Sequence, residues 1–270
     1  MEFGERAVFT LARMTKAPLP IPAICSEPPS RCSVCATDRL AHLGARDFGD
    51  NANDFHSGTR MFAPYRVDIA YYRCCACGFT FTNAFDKWTP QDFRDHIYND
   101  DYLLTDPPFA EERPLRNARL VAGLWHCEKG STAVLDYGGG NGRFADVMNQ
   151  CGIVCESMDV FHRTDEPTRG SYDLVTCFEV IEHVPHGDQA DWLAGLRRFV
   201  GPAGRVLMST LVLDRDAVVG HHYIAPRNGH ISIHSGRSIR TLAEKSGLEV
   251  YSINQEMHLL RPRAAQDQCD

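Results

Sequence analysis

The sequence predicts an α/β protein in which a largely parallel sheet is covered by helices, with a small cysteine-bearing module ahead of it. Three observations carry that prediction. After Gly130, apolar runs alternate with helical periods, as expected of strands buried on both faces between covering helices. In VLDYGGGNGRF, glycine recurs at alternate positions where a strand gives way to a helix. Upstream, two cysteine pairs stand at a two-residue spacing, Cys32 with Cys35 and Cys74 with Cys77.

Taken in order, residues 1–24 show no sustained period, and Pro18, Pro20 and Pro22 stiffen their end, so this stretch reads as a mobile leader. Residues 25–88 are aromatic and short-stranded. RVDIAYYRC runs into the second cysteine pair and GFTFTNAF runs out of it, which predicts a hairpin tipped by the pair. Residues 89–126 are helical and rich in acidic and aromatic groups, a connector able to lie over a cleft. Residues 127–262 form the main domain, with strands at STAVLDY, IVCESMD, YDLVTCF, GRVLMST and LEVYSIN. Helices are expected at GRFADVMNQ, DQADWLAGLRRFV and SIRTLAEKSG, the last ending at Gly247. The polar tail, 263–270, is expected to fray.

Bulk properties narrow the function. A net charge of −7 offers no general attraction for a phosphate backbone, so nucleic acid is disfavoured as a partner. No apolar run reaches the ~18 residues that a membrane span needs, and no basic-then-apolar signal opens the chain. These features predict a soluble, cytoplasmic protein with a small-molecule substrate. Eleven cysteines in such a compartment point to metal where they are paired, and to small core residues or inert thiols where they are scattered.

The glycine turn has a physical reason. A chain passing from strand to helix within a few residues needs dihedrals that a Cβ forbids, and a ligand approaches its backbone only where side chains are absent. Here the turn is Asp136, Tyr137, Gly138, Gly139, Gly140, Asn141, Gly142. An acid two residues before the first glycine would repel a pyrophosphate but suits a cationic amino acid, and S-adenosylmethionine presents one. Asp159 closes the next strand, where a carboxylate can accept both hydroxyls of a ribose. With these features, residues 132–210 resemble the class I methyltransferases, whose fold is Rossmann-like. The resemblance covers VLDYGGGNG, the acid of ESMD and the segment DLVTCFEVIEHV. It implies that Asp136, Gly138, Gly139, Gly140, Asn141, Gly142 and Asp159 bind the cofactor, that Cys177, Phe178 and Glu179 line the cleft, and that Glu182 and His183 begin the following helix. Phe178 reads equally well as a core aromatic. Only twelve residues separate Asp159 from Tyr172, too few for a full strand-and-helix unit, so the sheet has room to be one strand short. Asp165 is a weak candidate for an adenine-side acid.

Four thiolates in two knuckles are the ligand set of a zinc ribbon. A two-residue gap lets both sulfurs of a knuckle converge, and Gly78 suits the tight turn. Cys32, Cys35, Cys74 and Cys77 are the expected ligands of a structural zinc, with Cys75, His42 or His56 as alternatives for one of them. A closed four-sulfur site leaves no position for substrate. Ribbon and downstream core together resemble bacterial sugar methyltransferases, including deoxysugar C-methyltransferases with an N-terminal zinc-binding motif.

Late in the chain, His221, His222, Tyr223, His230 and His234 crowd one loop at the carboxyl edge of the sheet, where α/β enzymes place their chemistry. GHISIHSGRSI is similar to the H-x-x-x-x-S segment of the sugar methyltransferases. That likeness implies His230 as general base and Ser235 as helix start, although Gly229 stands where those enzymes carry an acid. His222 is a second candidate base. Tyr98 and Tyr102 are candidates to close over a cationic sulfonium, or else pack the connector. Asp106-Pro107-Pro108-Phe109 matches an amino-methyltransferase signature only superficially, because it does not follow a buried strand. Two other functions compete: an RNA-modifying methyltransferase, which would need a basic stripe that residues 25–90 lack, and a non-catalytic, zinc-stapled interaction protein.

Overall fold

In the computed structural model, residues 16–124, 132–162, 165–214 and 218–263 are described. Most of the leader and nearly all of the tail lie outside them. Among the described residues, ten strands form two sheets. The smaller sheet begins with β1 (Leu40–Asp47) and β2 (Asp68–Cys74), paired antiparallel, then β3 (Thr80–Phe81), which returns from the second cysteine pair to complete the expected hairpin. Between β1 and β2 lies a short helix, α1 (Ala52–Ser57), capped by the Asn51 side chain; its local sequence carries no helical period long enough to have announced it.

The chain then enters a helical stretch. α2 (Pro90–His96) starts with a reciprocal Thr89/Asp92 capping box and a proline in its first turn. α3 (Tyr102–Thr105) and a 3-10 turn at Pro107–Phe109 lead into α4 (Glu112–Leu124). Asp106 thus follows a helix rather than a strand, and a bidentate pair with Arg113, both bonds 2.7 Å, fixes it.

The main sheet holds β4 (Ala133–Tyr137), β5 (Val154–Met158), β6 (Tyr172–Phe178), β7 (Val200–Ser209), β9 (Leu248–Ser252) and β10 (Met257–Pro262) in the order β5-β4-β6-β7-β10-β9. The first four run parallel, while β10 is antiparallel to both its neighbours. The predicted strands and the helices α5 (Arg143–Gln150), α6 (Gln189–Arg197) and α7 (Gly236–Lys245) are all present. Among the described residues, neither strand nor helix intervenes between Met158 and Tyr172, so β5 is the edge. β10 is additional to the strands expected from the sequence: a strand inserted between β7 and β9 depends on tertiary pairing that MHLLRP does not announce. No helix among the described residues is long and apolar enough to cross a membrane.

One strand breaks the expected division into modules. β8 (Ser232–Ile233) comes from the main domain but pairs antiparallel with β3, as the fourth strand of the small sheet. An aromatic core seals this junction. Phe48, Tyr71, Phe85, Trp88 and Phe93 pack with Tyr223, Ile224 and Ile231 from the late loop.

His234, next along the chain, is fully buried between Ser238 Oγ at 3.0 Å and Gln189 Oε1 at 3.1 Å. Burial, with His258 nearby, pushes its imidazole down to about 3. An unfolded chain would protonate this histidine near pH 6.5, so its contribution is complete above that pH and is lost as pH falls toward the folded value. Lowering pH from 7 to 5 is expected to cost about 2 kcal/mol through this group. Urea unfolding at both pH values should show the difference, and His234→Gln should shrink it.

Candidate active site

β4 and β6 are neighbours, but the chain visits β5 on the far side of β4 before reaching β6. Their carboxyl ends therefore open a crevice at the switch in strand order, where doubly wound sheets bind ligands. On the β4 side, Gly138, Gly140 and Gly142 take φ of +77°, +54° and +81°. The Gly138 and Gly139 amides donate to Met158 O at 2.9 and 3.2 Å, tying the turn to the end of β5. A Cβ on Gly138 would lie 2.5 Å from Val180 Cγ2, and one on Gly139 would overlap Asp136 Oδ2 and Ser157 Oγ. Asp136 is buried and accepts from Thr176 Oγ1 at 3.0 Å. Asp159 accepts from the amides of Gly140, Phe161 and His162 at 3.1, 2.8 and 3.0 Å. Burial would raise its carboxyl, but the His162 ring and these N–H groups outweigh that and hold it below the ordinary range. It thus orders the turn as well as closing its strand.

A bare, left-handed backbone beside a buried acid fits the amino-acid end of S-adenosylmethionine. One aromatic already leans on it: Phe109 Cζ lies 3.0 Å from where a Gly140 Cβ would be. Phe109 stands in the Asp-Pro-Pro-Phe segment, whose likeness to an amino-methyltransferase signature is superficial. Tyr102 packs behind it edge-on at 5.1 Å, and Tyr98 packs on Phe161 at 4.7 Å. Both tyrosines belong to the aromatic cluster of the connector rather than touching the turn. Asn141 is exposed and donates to Ala110 O at 3.2 Å, further binding the connector to the turn.

On the β6 side the residues divide. Cys177 is completely buried within the main core, and Phe178 packs edge-on against Phe144 at 5.6 Å, so both side chains serve the sheet's packing. Glu179 then turns the chain with φ of +53°, a conformation that costs a non-glycine residue of order 1–3 kcal/mol and persists where surroundings enforce it. The bond from Ser209 Oγ to Glu179 Oε1, 2.6 Å, does so. Burial and the adjacent Glu182 push its carboxyl up to about 7. A short 3-10 turn, Ile181–His183, follows in place of the expected helix.

That turn places Glu182 and His183 against His230, with one ligand atom of each within 4.8 Å of the others. The Tyr223 hydroxyl bridges the two acids, donating to Glu182 Oε1 at 2.6 Å and lying 3.2 Å from Glu179 Oε2. His230 Nδ1 contacts Tyr223 O at 2.9 Å and His183 Nδ1 contacts Gly229 O at 3.1 Å. Since carbonyls only accept, each ring carries its proton on Nδ1 and leaves the Nε2 lone pair free. Burial lowers both imidazoles below their ordinary value. Gly229 is explained here: with φ of +80°, a Cβ on it would lie 2.8 Å from the Tyr98 hydroxyl and 3.2 Å from His183 Nδ1. His222 does not join this cluster; it stacks on Phe55 and His221 at 5.2 and 4.4 Å, lining a shallow surface pocket with Arg46 and Arg60. Glu182 is the residue whose role sequence reasoning missed, although the acid in the apolar run CFEVIEHV was a signal.

The four ribbon cysteines also converge. Cys32 Sγ lies 3.7 Å from Cys77 Sγ and Cys35 Sγ lies 3.5 Å from Cys74 Sγ, all four falling within 4.8 Å of one another. Cys75 is exposed outside the cluster, His42 packs on Tyr72 and His56 sits in α1. Ser235, the N-cap of α7 as expected, donates to Cys77 O, and Arg237 donates to Ala76 O at 2.9 Å.

A glycine turn and a strand-end acid at the switch point, facing a second strand end that carries acids and histidines, define an α/β methyltransferase. The chain belongs to the methyltransferase domain family, whose model matches residues 109–253. It is similar to the ubiquinone biosynthesis O-methyltransferase of Pseudomonas aeruginosa, 29% identical over 156 residues, 45% of this chain and 66% of that protein. The Thiobacillus denitrificans enzyme of the same name is 28% identical over 179 residues, covering 53% and 76% respectively. Among solved structures, 1,6-didemethyltoxoflavin-N1-methyltransferase of Burkholderia thailandensis, with S-adenosylhomocysteine bound, aligns with a TM-score of 0.48 at 13% identity, covering 73% of this chain and 96% of that one.

Proposed function

We propose that this protein transfers a methyl group from S-adenosylmethionine to an oxygen of a small molecule, and that its four-cysteine site holds a structural zinc. The observation that carries the first part is the contact between half-sites: Val180, next to Glu179, packs on Gly138, so the cofactor turn and the Glu182–His183–His230 cluster flank one crevice. When bound, S-adenosylmethionine supplies an electrophilic methyl on its sulfonium. The chain's own task is to orient a hydroxyl and take its proton. Asp136, Gly138, Gly139, Gly140, Asn141, Gly142 and Asp159 are the residues proposed to hold the cofactor. Glu179 sits at the boundary of the half-sites, with Tyr98 and Tyr102 backing the Phe109 cover. His230, its Nδ1 held by Tyr223 O, is the residue proposed to activate the acceptor hydroxyl; half-buried His222, outside the cluster, is not. The ubiquinone-biosynthesis names support oxygen as the methylated atom, and a sugar hydroxyl falls within the same acceptor class.

Zinc at the ribbon is supported by its dimensions. Four sulfurs at about 2.3 Å from one metal stand roughly 3.8 Å apart, close to the separations of 3.7 and 3.5 Å found across the knuckles.

Turnover with methyl-labelled cofactor and a panel of phenols, polyols and sugars tests the reading. His230→Ala is expected to lower kcat by ~10²–10⁴-fold while cofactor affinity stays within about twofold. No labelled product from any hydroxyl acceptor, with label on an amine or carbon instead, would overturn oxygen transfer.

A further inference from the structure

We infer that Glu182, His183 and His230 form a divalent-cation site, with Glu179 in reach as a fourth ligand, and that the acceptor is a molecule whose oxygen completes the cation's shell. This deepens the reading above and rests on it.

Three features point to a cation. First, the histidines are presented as ligands are: each gives its Nδ1 proton to a backbone carbonyl, Tyr223 O or Gly229 O, which leaves the Nε2 lone pair unprotonated, and a ring nitrogen of each lies within 4.8 Å of a Glu182 oxygen. Metal-bound histidines are characteristically oriented by such an outer bond. Second, Glu182 Oε2 is completely buried with no hydrogen-bond partner, while its other oxygen is held by the Tyr223 hydroxyl. A buried carboxylate oxygen left bare is costly, and a cation relieves that cost. Third, the local charge does not balance. Glu179 and Glu182 face each other and are met by the uncharged hydroxyls of Ser209, Thr210 and Tyr223. The nearby cation, Arg113, is already spent on Asp106.

Two imidazoles and one or two carboxylates suit Mn²⁺, Fe²⁺, Co²⁺ or Zn²⁺ and leave open positions. Such a centre lowers the pKa of a bound hydroxyl. Ionised on the metal, the acceptor oxygen releases its proton to solvent and attacks the methyl carbon. The C–O bond forms as the C–S bond breaks, and sulfur keeps the electron pair. His230 is then a ligand, and its lone pair does not carry the proton. An acceptor with two adjacent oxygens, such as a vicinal diol or catechol, would chelate and be preferred over an isolated hydroxyl.

The experiment titrates Mn²⁺, followed by its electron paramagnetic resonance signal, into protein whose ribbon is already loaded with zinc, because thiolates discriminate against manganese. One Mn²⁺ per chain is expected, with affinity at least tenfold weaker in Glu182→Gln and in His230→Gln. Co²⁺ in the same protein should give d–d bands without a thiolate charge-transfer band, and each variant's melting temperature confirms folding. S-adenosylmethionine affinity is measured separately, so that its loss indicts the cofactor reading and not the cation site. Absence of Mn²⁺ and Co²⁺ binding in the folded wild type, or binding unchanged in both variants, overturns the inference.

Discussion

Gly138→Arg is expected to abolish S-adenosylmethionine binding, raising Kd by at least ~100-fold. Two independent costs act at this position. The backbone is left-handed at φ +77°, which costs a residue with a side chain of order 1–3 kcal/mol. The first side-chain atom would also lie 2.5 Å from Val180 Cγ2, with further contacts at 3.0 and 3.4 Å, so turn or strand end must yield. Either movement separates the half-sites, and 2.7 kcal/mol corresponds to about a hundredfold in affinity. Titration calorimetry measures the loss, and far-ultraviolet circular dichroism should show the sheet intact. Affinity preserved in the folded variant would remove the turn from the cofactor site.

The second large effect is expected at the ribbon. Cys77→Ser, or chelation of the proposed zinc, is expected to lower the melting temperature by roughly 10–20 °C and to abolish turnover. Structural zinc supplies ~10–16 kcal/mol of apparent binding energy in small domains. Losing even about 5 kcal/mol in a chain of this size shifts melting by that amount. Activity should fall with it because the knuckle is built into the site's support. Cys77 O accepts from the N-cap Ser235, β3 pairs with β8, and β8 begins two residues after His230. Metal content by mass spectrometry, read beside the melting curves, checks both halves. Full activity in metal-free, folded protein would show that the knuckles do not support the crevice.

What was legible in the sequence was local. The glycine turn, the strand-end acid and the C-x-x-C knuckles each occupy fewer than ten residues, and their geometry follows from dihedral and ligand constraints that neighbours in the chain satisfy by themselves. The shortened sheet was legible too, since the twelve residues between Asp159 and Tyr172 cannot hold a further strand and helix. The illegible parts are those made by tertiary pairing. Glu182 and His183 meet His230 across 47 residues only because the 3-10 turn and the late loop are hydrogen-bonded, Ile231 N to Glu182 O at 2.9 Å. Phe109 reaches Gly140 because α4 packs Ala118 and Val121 against Phe144 and Met148 of α5. Tyr98 and Tyr102 fell one layer behind their expected place for the same reason. No periodicity in HIYNDDYLL distinguishes an aromatic facing a ligand from one backing the ring that does.

The pairing of β8 with β3 has a consequence for how this protein could be taken apart. Chain order suggests a cut near residue 88 or 126, yet such a cut would strip the backbone of Thr80 and Phe81 of the partners that Ser232 and Ile233 provide. An amino-terminal fragment would then present a raw strand edge, open to pairing with its own copies. Transplanting the knuckles onto another catalytic core would therefore require the recipient to bring its own two-residue strand in matching register.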